Sequence, residues 1–160
     1  MSDAALSLET MLNLLLEEES ALRRLVGLAI QEQGALVDSD YGAIERVSNA
    51  MHAASDRIEA LEQQRVKLAA GLGNAEATLE ELLPLAEELG IHGLAESRLR
   101  LAALAAELQE AQEHNARLLL SAVKLRERWV NHIAGMAPST YGSEGKQHLS
   151  QARGMVSRSA

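Results

Sequence analysis

The stretch from residue 101 to residue 132, LAALAAELQEAQEHNARLLLSAVKLRERWVNH, decides the fold class of this chain. Its apolar residues recur at alternating spacings of three and four, the pattern that places one stripe along an α-helix. A single polar residue, Asn115, interrupts the stripe near its middle. The pattern predicts a long helix over residues 91–135, whose stripe consists of Leu101, Leu104, Leu108, Ala111, Asn115, Leu118, Ala122, Leu125, Trp129 and His132.

The preceding sequence predicts two more long helices, over residues 5–37 and 40–72. Both carry the same spacing of apolar residues, and Asp40 is the predicted N-cap of the second. A three-residue link joins them, so they are expected to pack antiparallel as a coiled-coil-like hairpin. The composition agrees, because Leu, Ala and Glu dominate and Phe is absent, which favours helix over strand.

A short third helix is predicted over residues 75–89. Pro84 lies inside it and predicts a kink, or a fresh helix start near Leu83, since proline removes a hydrogen bond and clashes with the preceding turn. After the fourth helix, residues 136–160 are rich in serine and glycine and are expected to form a flexible tail. The fold class is therefore all-α, with a helical bundle over residues 1–135.

Charge and composition exclude several classes of function. Residues 1–90 hold 17 acids and 6 bases, whereas residues 91–160 hold 6 acids and 9 bases. We expect no nucleic-acid partner, because the slightly basic part lacks the cluster of cations and aromatics that binds phosphate. The chain has no cysteine, which excludes disulfides and thiolate metal sites. No signal peptide and no apolar run of membrane-spanning length is visible, so a protein that is not membrane-inserted is expected.

The search for catalytic or metal-binding groups predicts no enzyme and no cofactor. The five histidines are scattered, and the Glu-x-x-His pattern of di-metal bundles does not occur. The acidic run Glu17-Glu18-Glu19 is interpreted as a solvated face for at least two of its members. Glu19 lies on the apolar stripe, where it either pairs with a base from another helix or reaches solvent. Arg65 likewise lies on the apolar stripe of the second helix, where its aliphatic stem can pack while its guanidinium reaches out into solvent.

Asn115 has two interpretations. A polar residue on a helix seam often fixes the register of packing. Alternatively, Asn115 lies in a groove with the three leucines that follow at 118–120, where its amide would fix the register of an apolar partner helix.

Three segments together resemble the FlgN-type flagellar export chaperones. They are residues 113–119 (EHNARLL), residues 138–145 (PSTYGSEG), and residues 62–68 (EQQRVKL) followed by Leu72 and Gly73. The resemblance covers essentially the whole chain.

This resemblance implies a cytoplasmic chaperone that binds hook-associated junction proteins and delivers them to a membrane protein of the flagellar export gate. In the family, the last helix binds an amphipathic C-terminal helix of the substrate, and a tail tyrosine docks on the gate. Carried over, gate docking falls to Tyr141, Gly142 and Gly145. The substrate surface comprises Asn115, Leu118, Leu119, Ala122, Leu125 and Trp129, of which the last three rest on periodicity alone.

The competing interpretation is a structural coiled-coil protein that associates with its own copy. Its long apolar helix would be buried in a homo-oligomer and would have no affinity for flagellar proteins.

Overall fold

A computed structural model of the chain describes residues 2–72 and 78–136, and all regular secondary structure in these two ranges is helical. The predicted all-α fold is confirmed. The helices are α1 (Asp3–Val37), α2 (Tyr41–Gly71), α3 (Leu79–Glu88) and α4 (Leu94–Met136).

The chain divides into two compact units, residues 1–118 and residues 119–160. The first unit contains α1, α2, α3 and the part of α4 up to Leu118. The second unit contains the remainder of α4. The predicted bundle extends to residue 135, whereas the compact packing of the first unit ends at Leu118.

Capping side chains set the starts of the first three helices. The Ser2 hydroxyl accepts a hydrogen bond from the Ala5 amide at 3.2 Å, so α1 begins two residues before its predicted start. Asp40 is the N-cap of α2, as predicted, and its carboxylate accepts from the Ala43 amide at 3.1 Å. Thr78 and Glu81 form a capping box, so α3 begins at Leu79 rather than at residue 75.

The third helix is one continuous element. It runs through Pro84, so the alternative of a fresh start near Leu83 does not occur. Gly90 and Gly93, with φ of +73° and +102°, provide the left-handed backbone of the turn after it. Because this turn extends to Gly93, α4 begins at Leu94 and not at residue 91.

Two apolar clusters form the core of the first unit. The first joins the start of α1 to the end of α2, to α3 and to the start of α4, and its buried members are Leu8, Met11, Leu15, Ala69, Leu82, Ala86 and Leu94. The second joins the end of α1 to the first half of α2, around Leu25, Leu28 and Ala54, and the half-buried Leu108 of α4 packs against it. The pairing of opposite ends confirms that α1 and α2 are antiparallel.

Ion pairs with buried carboxylates join the middle of α1 to α2 and α4. Glu18 and Glu19 are only 7% and 8% exposed. Arg65 Nε of α2 donates to Glu18 at 3.0 Å, and Arg100 Nε of α4 donates to both carboxylate oxygens of Glu19 at 3.0 Å. Arg23, one turn along α1, also pairs with Glu19, at 2.8 Å.

The interpretation of the acidic run as mostly solvated is therefore wrong. Among its three residues only Glu17 is exposed, where it pairs with Arg57 at 2.7 Å. Of the two alternatives for Glu19, the structure shows the pairing with a base from another helix, Arg100. The Arg65 guanidinium points to Glu18 rather than reaching out into solvent. Together these pairs place charged groups on the packing side of all three long helices.

Candidate binding surface on the fourth helix

Asn115 joins α4 to α1 within the first unit. Its side chain is buried, with 4% of the residue exposed. Its Nδ2 donates to the Ala29 carbonyl of α1 at 2.8 Å and to Glu32 Oε1 at 3.0 Å. The amide thus fixes one residue of α4 against one turn of α1, which is the register-fixing role expected of a polar residue on a seam.

The part of α4 in the second unit has a different environment. From residue 119 to residue 136 every residue except Ala134 is exposed. Many of these residues are large and apolar. An exposed apolar surface of this kind on a folded protein usually marks a site of interaction. We call this surface the C-terminal face, and its large apolar residues are Leu119, Leu120, Val123, Leu125, Trp129, Val130, Ile133 and Met136.

The C-terminal face contains two neighbouring rows of side chains. The first row continues the stripe recognised in the sequence and consists of Ala122, Leu125, Trp129 and His132. Its spacings of three and four keep these side chains on one side of the helix. Leu125 and Trp129 are 55% and 59% exposed. Together with Arg128 and His132 they line a shallow recess, in which the Trp129 and His132 rings meet edge to face at 6.1 Å.

The second row lies beside the first, displaced by one residue. It consists of Leu119, Val123, Arg126, Val130 and Ile133, again at spacings of four and three. The stripe predicted from the sequence contains only the first row. The second row could also have been predicted, because the same spacing of three and four residues counted from Leu119 identifies it. A helix with two adjacent apolar rows has a wider apolar arc than a single coiled-coil seam requires.

The structure places the predicted substrate-binding residues in different environments. Asn115 is buried on α1 and Leu118 is half-buried, both in the first unit. Leu119, Ala122 and Leu125 are exposed in the second unit, as is Trp129. The predicted gate-docking residues lie outside the described residues: Tyr141, Gly142 and Gly145.

The described residues of α4 offer a surface for association. They hold no group of three or more His, Asp or Glu residues arranged to bind a metal ion. None of the helices in residues 2–72 and 78–136 combines the length and the apolar character that a membrane crossing requires. The exposed apolar rows of α4 are the candidate binding surface.

Comparison with known proteins identifies the family of the chain. The family model described as FlgN protein matches residues 1–148, a range that includes all four helices. Neither the curated proteins nor the solved structures contain a match.

Proposed function

The chain belongs to the FlgN family of flagellar type III export chaperones, and from this premise we propose that its clients are the hook-associated proteins of the hook–filament junction. It would hold them unassembled in the cytoplasm and deliver them to the export gate. The observation that carries the proposal is the exposed C-terminal face, a helical surface rich in large apolar side chains.

The contact with a client follows from the chemistry of this face. An amphipathic helix can lay its apolar side on an apolar helix surface and anchor at positions spaced by three and four. We assign the client contacts to Leu119, Ala122, Leu125 and Trp129. The large leucine and tryptophan side chains would provide most of the binding energy, as buried aromatic and aliphatic anchors do in helix-in-groove complexes.

Asn115 and Leu118 belong to the same predicted surface and remain predictions there. In the chain alone the Asn115 amide donates to the Ala29 carbonyl of α1 and to Glu32. Leu118 is half-buried, and the exposed part of its side chain would contact the client.

Docking on the export gate is assigned to the tail. In the family resemblance a tail tyrosine carries this contact, which falls here on Tyr141 with Gly142 and Gly145. A short segment with one aromatic residue can order itself on a partner when it binds. This division separates the client surface from the gate contact along the chain.

The double variant Leu125→Asp plus Trp129→Asp tests the client surface. Both residues are exposed, so the change should leave the fold intact while placing two charges in the apolar contact. We expect the affinity for the C-terminal peptide of a hook-associated protein, measured by calorimetry, to fall about 100-fold or more, or ~2.8 kcal/mol. The far-UV circular dichroism should not change.

Leu99→Asp is the matched control. Leu99 is a leucine of the same helix, 67% exposed, in the first unit. Its substitution should leave the affinity unchanged. Equal affinities for wild type, double variant and control would contradict the assignment of the client to the C-terminal face.

Self-association is the second candidate, because the same exposed face would also suit a second copy of the chain. A structural coiled-coil protein would form dimers whose fraction rises with concentration and which the double variant dissociates. It would show no affinity for hook-associated peptides. Sedimentation velocity on the wild type and the double variant separates this candidate from the chaperone.

A further inference from the structure

A single cationic residue stands inside the apolar C-terminal face. Arg126 occupies the middle of the second row. Its nearest positions on the helix surface, three and four residues away, are Ala122, Val123, Trp129 and Val130. All five residues are exposed. No ion pair joins Arg126 to another of the described residues.

This position constrains whatever covers the face. A helix that covers both rows would pass over Arg126 and reduce the contact of its guanidinium with water. A guanidinium cannot lose its charge, and a buried charge without a partner is strongly unfavourable. The planar fork of the guanidinium matches a carboxylate, which can satisfy it with two parallel hydrogen bonds.

We infer that the client segment is an amphipathic helix whose own apolar face contains one Asp or Glu, and that this carboxylate pairs with Arg126. The inference rests on the proposed function, because it specifies the chemistry of the client that the C-terminal face accepts. Arg126 is then a determinant of specificity, since it disfavours helices that place a base or an apolar residue at the same point.

Charge argues against a second copy as the occupant. Residues 119–136 contain Lys124, Arg126 and Arg128, against a single acid, Glu127. In a two-fold dimer the same surface meets itself, so two Arg126 guanidinium groups would share a contact whose rows contain no acid and would repel each other. A client with an acidic group on its apolar face avoids this repulsion.

A membrane surface is a poorer fit for the same reason. Basic amphipathic helices that lie in a bilayer interface keep their cations on the polar face and bury an uninterrupted apolar face. Arg126, between Val123 and Trp129, would be pushed into the acyl region together with the apolar residues around it.

The test uses the full chain and three designed helical peptides. The peptides share a leucine seam and differ at one central position of that seam, which is Glu, Leu or Lys. We expect the Glu peptide to bind about tenfold more tightly than the Leu peptide, a difference of ~1.4 kcal/mol, and the Lys peptide to bind most weakly. In the Arg126→Glu variant the order of the Glu and Lys peptides should reverse.

Lys124→Glu is the control for net charge. It changes the charge of the same segment by the same amount, but Lys124 lies two residues away, about 200° around the helix from Arg126. The order of the three peptides should therefore be the same in Lys124→Glu as in the wild type. A reversal in Lys124→Glu as well would show that net charge decides the order and would overturn the inference.

The remaining outcomes separate this inference from the proposed function. Equal affinities for all three peptides would overturn the pairing of an acidic client residue with Arg126 and leave the proposed function intact. The same holds if none of the three peptides binds while a hook-associated peptide binds at the C-terminal face. Absence of binding between the wild-type chain and the hook-associated peptide, in the calorimetry described above, overturns the proposed function. Dimerisation through the C-terminal face, or binding to phosphatidylcholine–phosphatidylglycerol vesicles that Trp129→Asp abolishes, overturns the inference in favour of another occupant.

Discussion

At the scale of single residues, neighbouring glutamates of α1 have opposite environments. Glu17 and its partner Arg57 both have side chains more than half exposed, whereas the Glu18 side chain is 9% exposed and that of Arg65 24%. Exposed pairs contribute little because water screens them and the side chains lose entropy. A pair with a buried carboxylate behaves differently, since removing one partner leaves a polar group without compensation.

Alanine substitution at Glu17 and Glu18 should show this difference. We expect Glu18→Ala to lower the free energy of unfolding by about 1–3 kcal/mol, because Arg65 then loses its carboxylate partner at a site largely closed to water. Glu17→Ala should lower it by less than about 1 kcal/mol. Urea unfolding followed by circular dichroism measures both. Equal losses in the two variants would show that the Glu18–Arg65 pair is screened as fully as the exposed one.

Spacing along the helix separates these two glutamates, since Glu18 is in line with the buried Met11, Leu14, Leu25 and Leu28 and Glu17 is not, but spacing does not identify their partners. They are adjacent and chemically identical, and a helical pattern gives each one only an angle around the helix axis. The burial of Glu18 depends on where Arg65 of α2 lies, 47 residues away. The pairing of Glu19 was predictable in kind, because Glu19 lies on the stripe, but its partner Arg100 depends on tertiary packing.

At the scale of the elements, the regular stripe of α2 was the most predictable feature. The sequence places nine residues on it, and in the structure each of them is buried or half-buried: Ile44, Val47, Met51, Ala54, Ile58, Leu61, Arg65, Leu68 and Leu72. The prediction succeeds because helical periodicity is a local property. The start of α3 depended instead on the Thr78–Glu81 capping box, a local signal that the periodicity of the apolar residues does not contain.

The stripe of α4 shows where periodicity stops being informative. Its spacing continues unchanged from Leu104 through Leu125 to Trp129, but Leu104 is buried and the other two are exposed. The pattern states that a face is apolar and does not state what covers it. The location of the candidate surface could thus be predicted in part, whereas the change of environment after Leu118 required coordinates.

The side-chain amide of Asn115 joins α4 to α1, and the variant Asn115→Asp tests this contact. The substitution replaces the Nδ2 donor to Ala29 with a carboxylate oxygen and places a second negative charge beside Glu32. We expect a loss of about 3 kcal/mol in the free energy of unfolding, measured in guanidinium chloride.

Asn131→Asp is the control for this change. Asn131 lies on the same helix and is exposed, so its substitution should alter stability by no more than about 0.5 kcal/mol. If the two variants unfold at the same denaturant concentration, Asn115 does not fix α4 on α1 in the way its hydrogen bonds indicate.

At the scale of the whole molecule, the two units differ in what stabilises their helices. Leu8, Met11, Leu15 and Leu61 are almost completely buried in the first unit. In the second unit the described residues are helical, and all except Ala134 are exposed. Their helix therefore depends on local propensity, and isolated helices of this length are marginal in water. A surface of this kind gains order when a partner covers it, and this gain couples client binding to the stability of the segment.

Hydrogen–deuterium exchange on the full chain should reveal this coupling. Amides of residues 8–28 should exchange slowly, near the rate set by global unfolding, while amides of residues 120–134 should exchange much faster, because opening their helix exposes little additional apolar surface. Saturation with a hook-associated C-terminal peptide should slow exchange in residues 120–134 and leave residues 8–28 unchanged.

The Leu125→Asp plus Trp129→Asp variant, mixed with the same peptide, provides the control and should keep the fast rates. Slow exchange in residues 120–134 of the wild type without peptide, persisting at high dilution, would mean that the segment is already covered by its own chain, and the C-terminal face would then not be open to a client.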